Sequence, residues 1–214
     1  HIALATGRPV ETDLAQAIRV GERTTIWPGA VGAKNWQHAA FDPVRRLLFA
    51  NTVHMWSQYK MVPVEFRPGR SWTGSQNTVH SFEPEEPRGH MAAIDPLTGK
   101  TRWQIPLEDH ANWSSMLATA GGVVFTGRHT GEFIALDQDT GKQLWQFKTG
   151  SGIVAPPITY THKGVQYVTV LSGRGGSVSG VWPASSSTPS PAPLILLTYG
   201  DRRCSEKKLY TCDR

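Results

Sequence analysis

Apolar residues along this chain fall in short runs closed by glycine, proline or aspartate, a strand pattern rather than a helical one. The clearest runs are Met91 to Ile94 and Phe133 to Leu136, each beginning just after a glycine and stopping at an aspartate. D-x-x-T-G-K follows both. It supplies turn formers, because an Asp side chain bonds backbone two residues on and Gly tolerates positive φ. A second run, ending at Trp103 or Trp145, is expected to return antiparallel as the hairpin partner.

These two stretches are one unit repeated. GHMAAIDPLTGKTRW (89–103) aligns without gaps on GEFIALDQDTGKQLW (131–145), an offset of 42 residues (131 − 89). Gly89, Ala93, Asp95, Thr98, Gly99, Lys100 and Trp103 match Gly131, Ala135, Asp137, Thr140, Gly141, Lys142 and Trp145. A period of roughly 40–50 residues indicates propeller blades or a solenoid. Each terminal Trp can lay its ring over the neighbouring unit, burying roughly 150–250 Å². Trp103 and Trp145 are therefore expected to be mostly buried at equivalent places between sheets. The fold class is all-β, a propeller of four-stranded antiparallel blades.

The remaining chain extends this pattern. IALATGRPV (2–10) reads as a worn copy of the same turn, closing an earlier blade, and ETDLAQAIRV (11–20) as a short helix. WPGAVGAKNW (27–36) is a loop leading into a strand, and QHAAFDPVRRLLFANT (37–52) gives strand, Asp-Pro turn, strand. Residues 53–88 form a long insertion on one blade. Residues 113–147 are the cleanest blade, with strands near SMLATA, VVFTG, FIALD and QLWQF. PPITYT (156–161) and VQYVTVL (165–171) make a further strand pair. Two domains are expected: a partial propeller over 1–182 and a Ser/Pro-rich, basic tail over 183–214 that resists packing. A docked extended arm is the alternative for that tail.

Composition narrows the function classes. The 214 residues include 21 Gly, 15 Pro and 8 Trp, which suits many short strands and tight turns. Of the formal charge (22 − 17 = +5), +3 belongs to the last thirteen residues, so no basic nucleic-acid face is expected on the folded part. LILL (194–197) is too short to span a membrane. Cys204 and Cys212 either close one small disulfide or remain free thiols, and their spacing fits no zinc or haem-attachment pattern. GSGIVA (150–155) fits a dinucleotide-binding fingerprint, but Pro156 and Pro157 forbid the helix it requires. A chain beginning at His1 reads as a processed product or a fragment.

The order of motifs points further. PG-x-x-G-x-x-NW (28–36), A-I-D-P-x-T-G-K-x-x-W (93–103), ATAGG-x-VF-x-G (118–127), A-L-D-x-x-T-G-K-x-L-W (135–145) and the SG-I-x-A block from 151 to 168 follow one another. Together they resemble the C-terminal part of quinoprotein alcohol dehydrogenases of the methanol/ethanol type. The resemblance covers about residues 1–176. It implies one sector of an eight-bladed propeller, with pyrroloquinoline quinone on the central axis above a calcium or lanthanide ion. It also implies oxidation of primary alcohols in the periplasm and electron transfer to a cytochrome c.

By the same resemblance, Asn35, Trp36, Trp113, Gly175 and Gly176 contact the quinone. An amide at Asn35 suits this work, since it donates and accepts hydrogen bonds without adding charge. Glycines let backbone approach a cofactor closely. Where the family often has Trp after the glycines, this chain has Ser177. The family's metal ligands, catalytic base and adjacent-cysteine ring all precede the matched region, so no catalytic or metal-binding residue is assigned here. Missing N-terminal blades are accordingly an expected partner. The rival readings are a non-catalytic propeller scaffold for protein contacts and an inactive truncated product.

Overall fold

The computed structural model describes residues 2–70, 74–81, 84–173, 195–201 and 208–211. In chain order, β1 (Ile2–Ala3), β2 (Arg8–Pro9), α1 (Asp13–Arg19) and β3 (Thr24–Ile26) come first. β4 (Ala40–Asp42), β5 (Leu47–Asn51), β6 (Trp56–Met61) and β7 (Ser75–Ser81) follow. Then come β8 (His90–Ile94), β9 (Thr101–Pro106), β10 (Met116–Ala118) and β11 (Val123–Gly127). β12 (Glu132–Asp137), β13 (Gln143–Lys148), β14 (Ile158–His162), β15 (Val165–Ser172), β16 (Ile195–Asp201) and β17 (Lys208–Thr211) complete the order.

The chain divides into two compact units. The first takes residues 1–33 and 54–86. It holds the β1–β2 hairpin, helix α1 and a sheet ordered β3-β6-β7. Thr12 caps α1, accepting from the Ala15 N–H, and Asp13 favours the positive end of the helix. The insertion after residue 53 is therefore built structure rather than a bare loop. β6 pairs with both β3 and β7. Gly29 makes that packing possible, since a Cβ there would lie 2.3 Å from Ser57 Oγ.

The second unit, residues 34–53 and 87–214, carries the repeat. Its sheets are ordered β4-β5-β8-β9, β10-β11-β12-β13 and β14-β15-β16-β17, all antiparallel. The residues of 113–147 that enter strands form one four-stranded sheet, as the pattern requires. The insertion interrupts the first sheet between β5 and β8, and the hairpin at 89–106 resumes it.

The 42-residue offset holds atom by atom. Gly99 and Gly141 have φ of +70° and +74°, and their N–H groups donate to Asp95 O (2.8 Å) and Asp137 O (2.9 Å). Asp95 Oδ1 accepts from the Leu97 N–H at 2.9 Å, and Asp137 Oδ1 from the Asp139 N–H at 3.1 Å. Both hairpins shift register at the same place, Ala93/Ile94 and Ala135/Leu136.

Strand alternation then builds two cores from one sheet. Val124, Ile134 and Leu136 face Leu47, Phe49 and Met91 of the first sheet. Phe125, Phe133 and Ala135 face Ile153, Val168 and Val170. Side chains of a strand point alternately to opposite faces, so β11 and β12 serve both interfaces.

Trp103 joins the first sheet to the second. Its indole N–H donates to Gln138 O at 2.8 Å, and its ring lies over Gly141, where a Cβ would sit 2.7 Å away. Trp103 and Trp145 are both mostly buried, at equivalent places on the outermost strands of their sheets.

Two segments of the tail are strands of the third sheet. β16 pairs along β15, and β17 along β16. The apolar Ile195–Leu197 run carries the strand propensity that the preceding Ser/Pro stretch lacks. Residues 174–194 lie outside the described set.

Candidate functional site

Two loops of the second unit, 34–38 and 112–115, bring distant residues together. Each leads into the first strand of its sheet, and each carries Asn-Trp, at 35–36 and 112–113, an offset of 77 residues (112 − 35). The two Trp rings stack, with centroids 6.3 Å apart and planes inclined by 24°. Trp113 is 4% exposed and Trp36 is 47% exposed. The result is a buried ring supporting one whose surface is open to a ligand.

Backbone pinning fixes this arrangement. The His38 N–H donates to Ser115 Oγ at 2.9 Å, and the Met116 N–H donates to His38 O at 2.9 Å. Within the first loop, the Asn35 N–H donates to Gln37 Oε1 (3.1 Å) and the Trp36 N–H to Asn35 Oδ1 (2.8 Å). Lys34 Nζ bonds the carbonyls of Asn35 (3.3 Å) and Gln37 (2.6 Å). Gln37 is fully buried, and its Nε2 has no hydrogen-bond partner among the described residues.

The two Asn-Trp pairs do different work. Asn112 is buried, its Nδ2 donating to Gly127 O at 2.8 Å and its Oδ1 accepting from the Ser114 N–H at 3.2 Å. Ser114 Oγ accepts from the Gly127 N–H at 3.1 Å. Asn51 Nδ2 reaches Ser114 O at 2.6 Å from the neighbouring sheet. Asn112 is thus committed to the scaffold, whereas Asn35 is exposed beside an exposed ring.

Of the residues singled out from sequence, Asn35, Trp36 and Trp113 come together, and Gly175 and Gly176 lie outside the described residues. Sequence reading missed Lys34, Gln37 and Ser115 as the braces of the loop. Their signal was present in the proximity of GAKNWQH to one Asn-Trp and of NWSS to the other. Among the described residues no group of three or more His, Cys, Asp or Glu is placed to hold a metal.

Three aspartates have lowered pKa values. For Asp42, burial opposes the charge, and hydrogen bonds from Arg45 and Val44 outweigh it. The Leu97 N–H leads in lowering Asp95, and the Thr140 hydroxyl in lowering Asp137. Asp42 and Asp137 end strands and Asp95 follows one, each at the start of a turn. Their carboxylates hold those turns by accepting from backbone N–H groups.

The chain is similar to a family model, to curated proteins and to solved structures. The family model PQQ_2, described as outer membrane protein assembly factor BamB, matches residues 87–184. The quinoprotein ethanol dehydrogenase of Pseudomonas putida is 36% identical over 188 residues, covering 83% of this chain and 29% of that protein. The lanthanide-dependent methanol dehydrogenase of Methylorubrum extorquens is 39% identical over 174 residues, covering 79% and 29%. A solved europium-containing methanol dehydrogenase superposes with a TM-score of 0.74 at 33% identity, over 86% of this chain and 33% of that one.

The chain is homologous to a part of the quinoprotein alcohol dehydrogenases. Its four-stranded sheets are blades of their β-propeller fold. It spans 29% of the length of the curated relatives named here. No helix among the described residues is long and apolar enough to cross a membrane.

As residues of a quinoprotein relative, Asn35, Trp36 and Trp113 suit a planar, polar-edged cofactor. An exposed indole face with a rigid ring behind it offers stacking worth about 1 kcal/mol beyond area burial. The adjacent amide can match carbonyl or carboxylate oxygen.

Proposed function

We propose that this chain is a sector of a quinoprotein dehydrogenase that oxidises primary alcohols by hydride transfer to pyrroloquinoline quinone. The observation that carries the reading is the Trp36–Trp113 stack, built from residues 77 positions apart (113 − 36) with exposed Asn35 beside it. When bound, the quinone supplies a carbonyl carbon that accepts the hydride, polarised by a calcium or lanthanide ion.

The residues of this chain bind and orient. Trp36 offers its ring face and excludes water on that side. Trp113 holds Trp36 in place, and the Lys34–Gln37 brace keeps Asn35 directed at the polar edge of the cofactor. Gly175 and Gly176 complete the proposed set, by resemblance. The catalytic base and the metal ligands belong to blades beyond these 214 residues, so the isolated chain is inactive. A periplasmic location and a cytochrome c acceptor follow from the same family reading.

Dye-linked alcohol oxidation tests this. The chain is assayed with added quinone and calcium or lanthanide, alone and with the preceding blades of the Pseudomonas putida relative supplied as a separate polypeptide. Turnover is expected only from the mixture. Quinone-dependent turnover by residues 1–214 alone would show the catalytic groups to be misplaced.

A further inference from the structure

At the other end of the same strands lies a groove the dehydrogenase reading does not use. β4 starts from the Asn35–Trp36 loop and runs to the turn at 43–46, so that turn stands at the far end of its sheet. There a groove of about 580 Å³ opens beside Arg45, Arg46, Asp95, Lys100, Arg102 and Asp139.

The internal repeat shows what is unusual here. Arg46 is the last residue before β5, and Gly122 is the last before β11. Both are left-handed, with φ of +55° and +81°. Gly takes that conformation without cost, whereas a non-glycine residue is strained by about 1 kcal/mol. Position 102 is Arg, while its counterpart 42 residues on is Leu144. The first sheet therefore carries two guanidinium groups where the second carries glycine and leucine.

Asp42, Asp95 and Asp139 offset part of this charge, and the four cations against three acids leave a net +1 (4 − 3) at the groove. Arg45 bonds Asp42 Oδ2 (2.9 Å) and Asp139 Oδ2 (3.0 Å), which accounts for it. Asp95 Oδ1 is engaged by the backbone of its own turn, and its charge acts on Arg46. Arg46, Lys100 and Arg102 are exposed and form no ion pair within 4.0 Å among the described residues.

We propose that this groove binds a phosphate group, free or esterified. A phosphate dianion can accept from two guanidinium forks and an ammonium together, which a single carboxylate cannot. The groove also leaves room for the remainder of an ester.

The test titrates the full 214-residue chain at low ionic strength with inorganic phosphate and with glycerol 3-phosphate, followed by NMR of the arginine and backbone resonances. Succinate at matched ionic strength is the control. Saturable binding of either phosphate is expected, weakened about tenfold or more in the double variant Arg46→Gly, Arg102→Leu. Binding of inorganic phosphate alone marks a free-ion site, and binding of the ester marks a larger ligand. Both substitutions install residues the next sheet already uses, so folding is retained, and a thermal melt verifies it. The proposal is overturned by no saturable phosphate binding, by undiminished binding in the folded variant, or by equal binding of succinate.

Discussion

Gly99 and Gly141 occupy the same place in two copies of one turn, with φ of +70° and +74°. Their surroundings differ: nothing lies within 4 Å of a Cβ at Gly99, whereas one at Gly141 meets the Trp103 ring at 2.7 Å. Gly99→Ala is expected to cost about 1 kcal/mol, the backbone term alone. Gly141→Ala should cost roughly 2–4 kcal/mol, because the indole must also move. Urea denaturation of the two variants measures the difference, and equal losses would contradict the docking of Trp103. The turn aspartates give a pH test. Asp137 has a lowered pKa in the folded chain, first through the Thr140 hydroxyl. Its contribution is therefore present above the ordinary aspartate pKa and lost as pH falls through the folded-state value. Asp137→Ala should lower the melting temperature at neutral pH, and the gap from the unsubstituted protein should close in acid. A gap independent of pH would place the effect elsewhere. These turns were legible from D-x-x-T-G-K alone, since their chemistry is local. The left-handed Arg46 was not, because only comparison with Gly122 in the folded repeat exposes it.

Among elements, the hairpins β8–β9 and β12–β13 were readable to within a residue or two, and the four strands of 113–147 followed from alternation. What sequence could not convey was how one hairpin meets the next sheet. Trp103 makes that joint through one hydrogen bond and one ring-on-glycine contact. Trp103→Phe should cost about 1 kcal/mol, chiefly the bond to Gln138 O. Trp103→Ala should cost about 3 kcal/mol as packing against Phe49 is lost as well. Calorimetry orders the two, and equal effects would show the ring itself contributes nothing. The insertion after Val53 was legible as an interruption but not as a second unit. Its pairing with Thr24–Ile26 joins segments far apart in sequence, and no local periodicity encodes a long-range pair. The strands within 195–211 were hidden by the Ser/Pro run before them, although the apolar ILL stretch was in plain view.

For the molecule as a whole, the family emerged from ordered motif blocks rather than from any one of them. The site was partly legible: Asn35, Trp36 and Trp113 were named from those blocks, and folding stacks the two rings. The braces Lys34, Gln37 and Ser115 escaped notice because their side chains bond backbone groups, partners that no sequence motif announces. The central claim is that these loops form one wall of a quinone pocket. Its most direct test is a chimera in which this chain replaces the matching part of the Pseudomonas putida quinoprotein ethanol dehydrogenase. Quinone retained after gel filtration is measured for the chimera and for its Asn35→Ala and Trp36→Ala versions. The account predicts stoichiometric quinone in the parent chimera and at least tenfold weaker retention in each variant, about 1.4 kcal/mol or more, with melting temperatures unchanged. A folded chimera whose quinone content is indifferent to both substitutions would contradict it.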